Sequence, residues 1–209
     1  TGLTDEDGDY SDWLEIFNPG DTPVDLGGWY LTDDDSDLTQ WQLPSVTVPA
    51  GEYLVVFASN KDRAVSGQEL HTSFALSAGG EYVALVMPDG ETVAHDYEFP
   101  LQLTDVSFGL TAALTEFRYI ATPTPGAENA DDYWGYVEPV EISVEHGFYD
   151  APFDVYLSCE TSDATIRYTT NGSAPTSDSG SVYAPGTPIT ITTTTVLRAG
   201  AFKPDHQDS

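Results

Sequence analysis

The chain has 209 residues and a formal net charge of −29, from 35 acidic against 6 basic side chains, with no Lys or Arg before Lys61. A surface of that sign repels phosphate backbones, because nucleic-acid affinity comes mainly from Lys and Arg displacing counterions, and anionic membranes are disfavoured for the same reason. Nucleic acid is therefore excluded as a partner, while salt- or calcium-rich water or a cationic partner would suit such a surface. The 40% hydrophobic and 12% aromatic content argues for a packed core rather than acidic disorder.

In chain order, the first feature is the stretch DEDGDYSDWLEIFN, in which Asp5, Asp7, Asp9 and Asp12 surround Gly8 and lead into an alternating run. Calcium takes about 6–8 oxygen ligands, so Gly8 would have to bend the chain for these carboxylates to converge. The spacing fails the EF-hand register: Tyr10 and Ile16 stand where that loop needs glycine and glutamate. A non-EF calcium site built from Asp5, Asp7, Asp9 and Asp12 stands against a solvated acidic turn, and a second cluster, Asp33, Asp34, Asp35 and Asp37, offers further acids. Strands are predicted at DWLEIFN, GWYLT, TQWQL, EYLVVFAS, EYVALVMP, ETVAHDY, DVSFGL and FRYIA, with a hairpin turn at Asp89-Gly90. Trp13, Trp29 and Trp41 read as core residues.

Around Pro123 the pattern becomes rich in Pro and Gly, which marks a boundary. Tyr133, Trp134 and Tyr136 follow in a short aromatic linker, as interdomain cement or as a sugar-stacking or subunit-contact surface. A second strand series follows: VEISVE, FDVYLSC, ATIRYTT and PITITTTTVLRAGAF, the last including the threonine run 192–195. Asn171-Gly172 sits where a two-residue hairpin turn is expected, and Asn171-Gly172-Ser173 also matches a glycosylation acceptor. The fold class read from these strands is all-β, in two domains over 1–129 and 140–209 with residues 130–139 as the linker, the second domain being a small β-sandwich.

Cys159 is the single cysteine, so no internal disulfide can form, and a buried or half-buried thiol is expected there. No apolar run approaches the ~18 residues of a membrane span. His71, His95, His146 and His206 are scattered without metal-ligand spacing, and no nucleophile-elbow, zinc-helix or phosphate-loop motif occurs. With so many acids, mere pairs of carboxylates carry no catalytic meaning, and the chain reads as non-enzymatic.

Two resemblances sharpen this reading. The ordered segments DEDGDYSDWLEIFNPG, VDLGGWYLTDD, LTQWQLP, VPAGEYLVVFAS and LHTSFALSAGGEYVALVMPDG, closing with VSFG and TPTPGAEN, resemble the bacterial lamin tail domain over about 3–129. HGFYDAPFDVYLSCETSDATIRYTTNGSAPT and YAPGTPITITTTTVLRAGAFKP resemble the chitobiase/β-hexosaminidase C-terminal module over about 140–204. The resemblances imply immunoglobulin-like, non-catalytic modules of secreted or cell-surface bacterial proteins. Both look clipped at an outer strand, so the chain reads as an excerpt of a longer polypeptide, with a strand from a neighbouring chain as the bolder alternative. The expected role is an extracellular scaffold or filament subunit joined through sheet edges; the alternative is a carbohydrate-binding accessory of a polysaccharide-degrading enzyme.

Overall fold

The computed structural model describes residues 2–130 and 132–208, so Thr1, Ser209 and Asp131 of the expected linker lie outside the described residues. The chain divides into two compact units, Thr1–Asp132 and Tyr133–Ser209. Strands and turns make up both, with no helix among the described residues.

The first unit contains ten strands: β1 (Asp12–Phe17), β2 (Val24–Asp25), β3 (Tyr30–Thr32), β4 (Trp41–Gln42), β5 (Thr47–Val48), β6 (Tyr53–Ala58), β7 (Glu81–Val86), β8 (Val93–Phe99), β9 (Ser107–Leu110) and β10 (Phe117–Ile120). Two of them, β2 and β5, have no counterpart among the predicted strands; each is only two residues long, too short for alternation to be visible. β1 and β6 pair antiparallel from Asp12 opposite Ala58 to Phe17 opposite Tyr53. β4, β3, β7 and β8 form a four-stranded sheet in that order, and β9 pairs with β10.

Alternation explains the layering. Leu14 and Ile16 of β1 turn inward with Val56 of β6, meeting Leu31 of β3 and Val83 of β7 in one apolar core that also buries Trp41, Leu43 and Phe74. Of the three expected core tryptophans, Trp41 is buried, Trp29 packs on the core's edge and Trp13 is half-buried. The β7–β8 hairpin turns as predicted: Gly90 has φ +72°, Met87 N–H donates to Thr92 O, and the Asp89 carboxylate accepts from Glu91 N–H, Thr92 N–H and the Thr92 hydroxyl. Gly80, at φ +91°, is the one position where backbone approach forbids a side chain, since a Cβ there would stand 2.5 Å from Phe99 O.

β11 (Asp132–Tyr133) lies at the boundary between the units. The second unit continues with β12 (Glu141–Ile142), β13 (Phe153–Val155), β14 (Leu157–Ser158), β15 (Thr165–Thr169), β16 (Ser181–Val182), β17 (Ile189–Ile191) and β18 (Arg198–Phe202). β12 pairs with β14, β13 with β17, and β15 lies between β16 and β18. Val155, Leu157, Ile166, Tyr183, Ile189 and Ala201 form its core, and Val137, from the segment read as linker, belongs to the same core.

Two local readings need correction. Asn171-Gly172 makes a turn, with Gly172 at φ +82°, but not a two-residue hairpin: β15 reaches its partner β16 only after residues 170–180. Gly172 N–H instead donates to Val196 O. The threonine run 192–195 is not strand; it is the irregular link between β17 and β18, whose partners lie in different sheets. β-branched propensity yields there to the need to change sheets.

Candidate functional site

The acidic loop is built around one buried carboxylate. Asp5 Oδ1 accepts from Asp7 N–H (3.1 Å) and Asp9 N–H (3.0 Å), Oδ2 accepts from the Ser11 hydroxyl (3.0 Å), and Gly8 at φ +84° closes the turn. Gly8 therefore bends the chain as convergence requires, and Asp5, Asp7 and Asp9 each bring an oxygen within 4.8 Å of the others. Asp12 is not in this group; it begins β1. The place between the three carboxylates belongs to Lys61, whose Nζ donates to Asp5 Oδ2 (2.6 Å), Asp7 Oδ2 (2.8 Å) and Asp9 Oδ2 (2.9 Å).

Arg63 extends the network to Glu6 Oε1 and Asp7 Oδ2, both at 2.8 Å. Behind them His71 is fully buried, with Nδ1 2.9 Å from the Ser59 hydroxyl and Nε2 3.9 Å from Glu6 Oε1. Electrostatics follow the contacts. The Lys61 ammonium holds the Asp5 carboxyl far below the ordinary carboxylate range against the opposing effect of its burial, and Lys61 followed by Arg63 lowers Asp7. Asp5 first, then Asp7, raises the Lys61 ammonium in return.

Lys61 and Arg63 escaped the sequence reading, yet a signal for them exists. That signal is only that they are the first two bases of the chain; what brings them to the acidic loop is the pairing of β1 with β6. For the calcium expectation the consequence is physical: the ligand position is filled by an ammonium, and a resident ion would have to displace it. These residues fit an internal cation, not calcium together with Lys61.

The second acidic cluster does not converge. Asp34 Oδ1 caps Ser36 through its N–H and hydroxyl, which lowers the Asp34 carboxyl, while Asp37 Oδ1 accepts from Thr39 N–H and hydroxyl. Thr32 and Gln40 bind the loop's backbone, and Asp33, Asp35 and Asp37 form no common ligand set among the described residues. These are turn-capping acids.

The third candidate, Tyr133, Trp134 and Tyr136, falls in the second unit. Tyr133 is buried, Tyr136 half-buried, and Trp134 is 51% exposed. The two tyrosine rings meet edge to face at 5.1 Å with their hydroxyls hydrogen-bonded, and Trp134 N–H donates to Asp205 O beside the Tyr136–Gln207 bridge. The segment is thus laced to residues 205–207.

A feature that the sequence did not announce is a cleft of 1110 Å³ in the first unit. One wall is β1 from Trp13 to Phe17; another is the Leu103–Leu110 stretch containing β9; the floor includes Leu14, Leu31, Val83 and Phe99 of the core. Among the described residues β1 is paired only with β6 and β9 only with β10, so each has one unpaired edge. Asn18 N–H donates to Glu52 O, which fixes the ladder's parity: Leu14 and Ile16 bond to β6, and the N–H and C=O groups of Trp13, Glu15 and Phe17 turn away from it. On β9, Thr111 N–H donates to Glu116 O, so the backbone of Phe108 also turns outward, while Leu110 O is capped by the Asn129 amide (2.8 Å).

Two compact units built from antiparallel strand pairs, with no helix among the described residues, form the frame of tandem immunoglobulin-like β-sandwich modules. Residues 3–99 match the Lamin Tail Domain family model, and residues 144–209 match that of the Chitobiase/beta-hexosaminidase C-terminal domain, in the order the motifs implied. Both are immunoglobulin-like, non-catalytic modules. Residues 100–129, including VSFG and TPTPGAEN, lie beyond the first match but within the same compact unit. No curated protein and no solved structure matches the chain.

Proposed function

We propose that the chain is a structural scaffold of an extracellular or cell-surface assembly, bacterial in origin, whose working contacts run along its sheet edges. The observation that carries the reading is the unpaired edge of β1, where three consecutive outward-facing backbone positions, Trp13, Glu15 and Phe17, have no backbone partner among the described residues. Edge strands are normally shortened, charged or covered, and an uncovered one is a ready template for strand addition. The acidic surface favours such contacts in salt-rich surroundings, where self-repulsion is screened. Sedimentation and electron microscopy at rising protein concentration in high salt test this: growing oligomers or filaments are expected. A chain that remains monomeric throughout removes the self-assembling form.

A carbohydrate-binding accessory role is the second reading, favoured by the match of residues 144–209 and by exposed aromatics in the second unit, Phe148, Tyr149 and Tyr156. Tyr149 is steadied by Phe153, with ring centroids 4.3 Å apart, the kind of firm platform that sugar stacking uses. Retention on insoluble chitin that is lost in Tyr149→Ala supports this reading; passage through chitin and other polysaccharide matrices without delay removes it.

A further inference from the structure

We propose that the cleft between β1 and β9 is a strand-acceptor groove, filled by an extended segment of a separate polypeptide with aliphatic residues at alternate positions and Lys or Arg between them. The inference rests on the edge-contact reading above and supplies the chemistry of the partner. Its first support is geometric. β1 and β9 both line the cleft and each has an unpaired edge, so a strand inserted between them would satisfy the outward N–H and C=O groups of Trp13, Glu15 and Phe17 on one side and of Phe108 on the other. Backbone polar groups against apolar walls are costly when unpaired, and a strand is the ligand that pairs them in register.

The second support is the floor. Leu14, Leu31, Val83 and Phe99 belong to the core of the unit and also line the cleft, so the core is continuous with an opening that aliphatic side chains would close. Alternation then fixes the donor: every second side chain enters the core, and those between lie on the outer face beside Glu15. β1 is six residues long, which sets the length of the paired segment.

Charge decides who supplies the strand. The titratable groups lining the cleft are Asp12, Glu15, Asp105 and Glu128, Tyr10, Tyr53 and Tyr97, and His95, with no Lys or Arg among them. Burial lifts the Glu15 carboxyl above its ordinary range, offset by one hydrogen bond from Gly126 N–H. A cation on the incoming strand would relieve that burden. At low salt, where the charge is unscreened, a second copy of this chain is a poor donor: it carries −29, and two of its six bases already hold the acidic loop.

The test uses the full chain and the peptide acetyl-Val-Lys-Val-Thr-Val-Lys-Val-amide, with its Val-Glu analogue as control. Saturable binding of the Lys peptide is expected, read by the fluorescence of Trp13 and Trp29, with about tenfold or greater protection of the Trp13, Glu15, Phe17 and Phe108 amides from hydrogen exchange. Glu15→Gln should weaken binding about tenfold, the size of one charge-assisted contact. Glu15→Lys should reverse the preference toward the Glu peptide, which a folding defect would not do. Equal binding of both peptides, or of neither, overturns the proposal. So does protection of those amides in the chain alone at low concentration, which would mean that the chain itself closes the cleft. Protection that rises with protein concentration and no peptide would seat a second copy there; that result overturns this donor and leaves the scaffold reading standing. Peptide binding by a chain that never assembles does the reverse.

Discussion

Lys61 shows how a single side chain converts a loop of acids into a structural element. Its ammonium touches three carboxylates, one of them on the wholly buried Asp5 side chain, so removing it strands a desolvated negative charge. Lys61→Ala should therefore lower the melting temperature by several degrees, and millimolar calcium should restore part of the loss, because Asp5 and Asp9 then lack a cation and Asp7 keeps only Arg63. The parent chain's melting temperature should not move with calcium; a rise of similar size in the parent would show that an ion displaces Lys61. The pH dependence has a definite sign. Asp5 titrates below its unfolded value, so its contribution is complete above about pH 4 and is lost as acid approaches the native value. Lys61 titrates above its unfolded value, so its contribution is complete below about pH 10 and is lost only in stronger alkali. Chemical denaturation should show a plateau between these limits that is lower in Lys61→Ala.

At the scale of elements, the turn after β1 is held by Asn18. Its amide donates to Thr22 O, Val48 O and Pro49 O at 2.9–3.1 Å, and its Oδ1 accepts from Gly20 N–H, so one buried side chain ties β1 to the turn that follows it and to the end of β5. Asn18→Ala leaves several carbonyls unpaired and should cost about 1–3 kcal/mol in urea unfolding. Asn18→Asp should cost at least as much, since it replaces donors with a charge facing carbonyl oxygens. Most strands were legible because they alternate. The exceptions have reasons: β2, β5, β11 and β16 are two-residue ladders, and the threonine run has strand propensity but no partner in register. An open sheet edge was an expectation of the sequence, but not which strand would carry it. The open edges of β1 and β9, and the cleft they share, depend on which strands pair, and no local pattern carries that.

For the molecule as a whole, the excess of acids sets the conditions under which it is stable. A charge of −29 repels itself within each unit, and the screening length shrinks to about 10 Å at 0.1 M salt. Stability should rise steeply over the first tenths of molar salt and level off above that; thermal unfolding in NaCl checks this, and a flat profile would mean that local ion pairs such as those of Lys61 already cancel the repulsion. The sequence by itself determined the strand-rich fold class, the two modules and their order, because alternation and turn residues are local properties and each module's motifs lie in one stretch of chain. Only the tertiary structure decided what the acids and edges do. Convergence of Asp5, Asp7 and Asp9 on Lys61 requires an antiparallel register across some 50 residues of intervening chain, and an open edge exists only relative to the strands that fail to cover it.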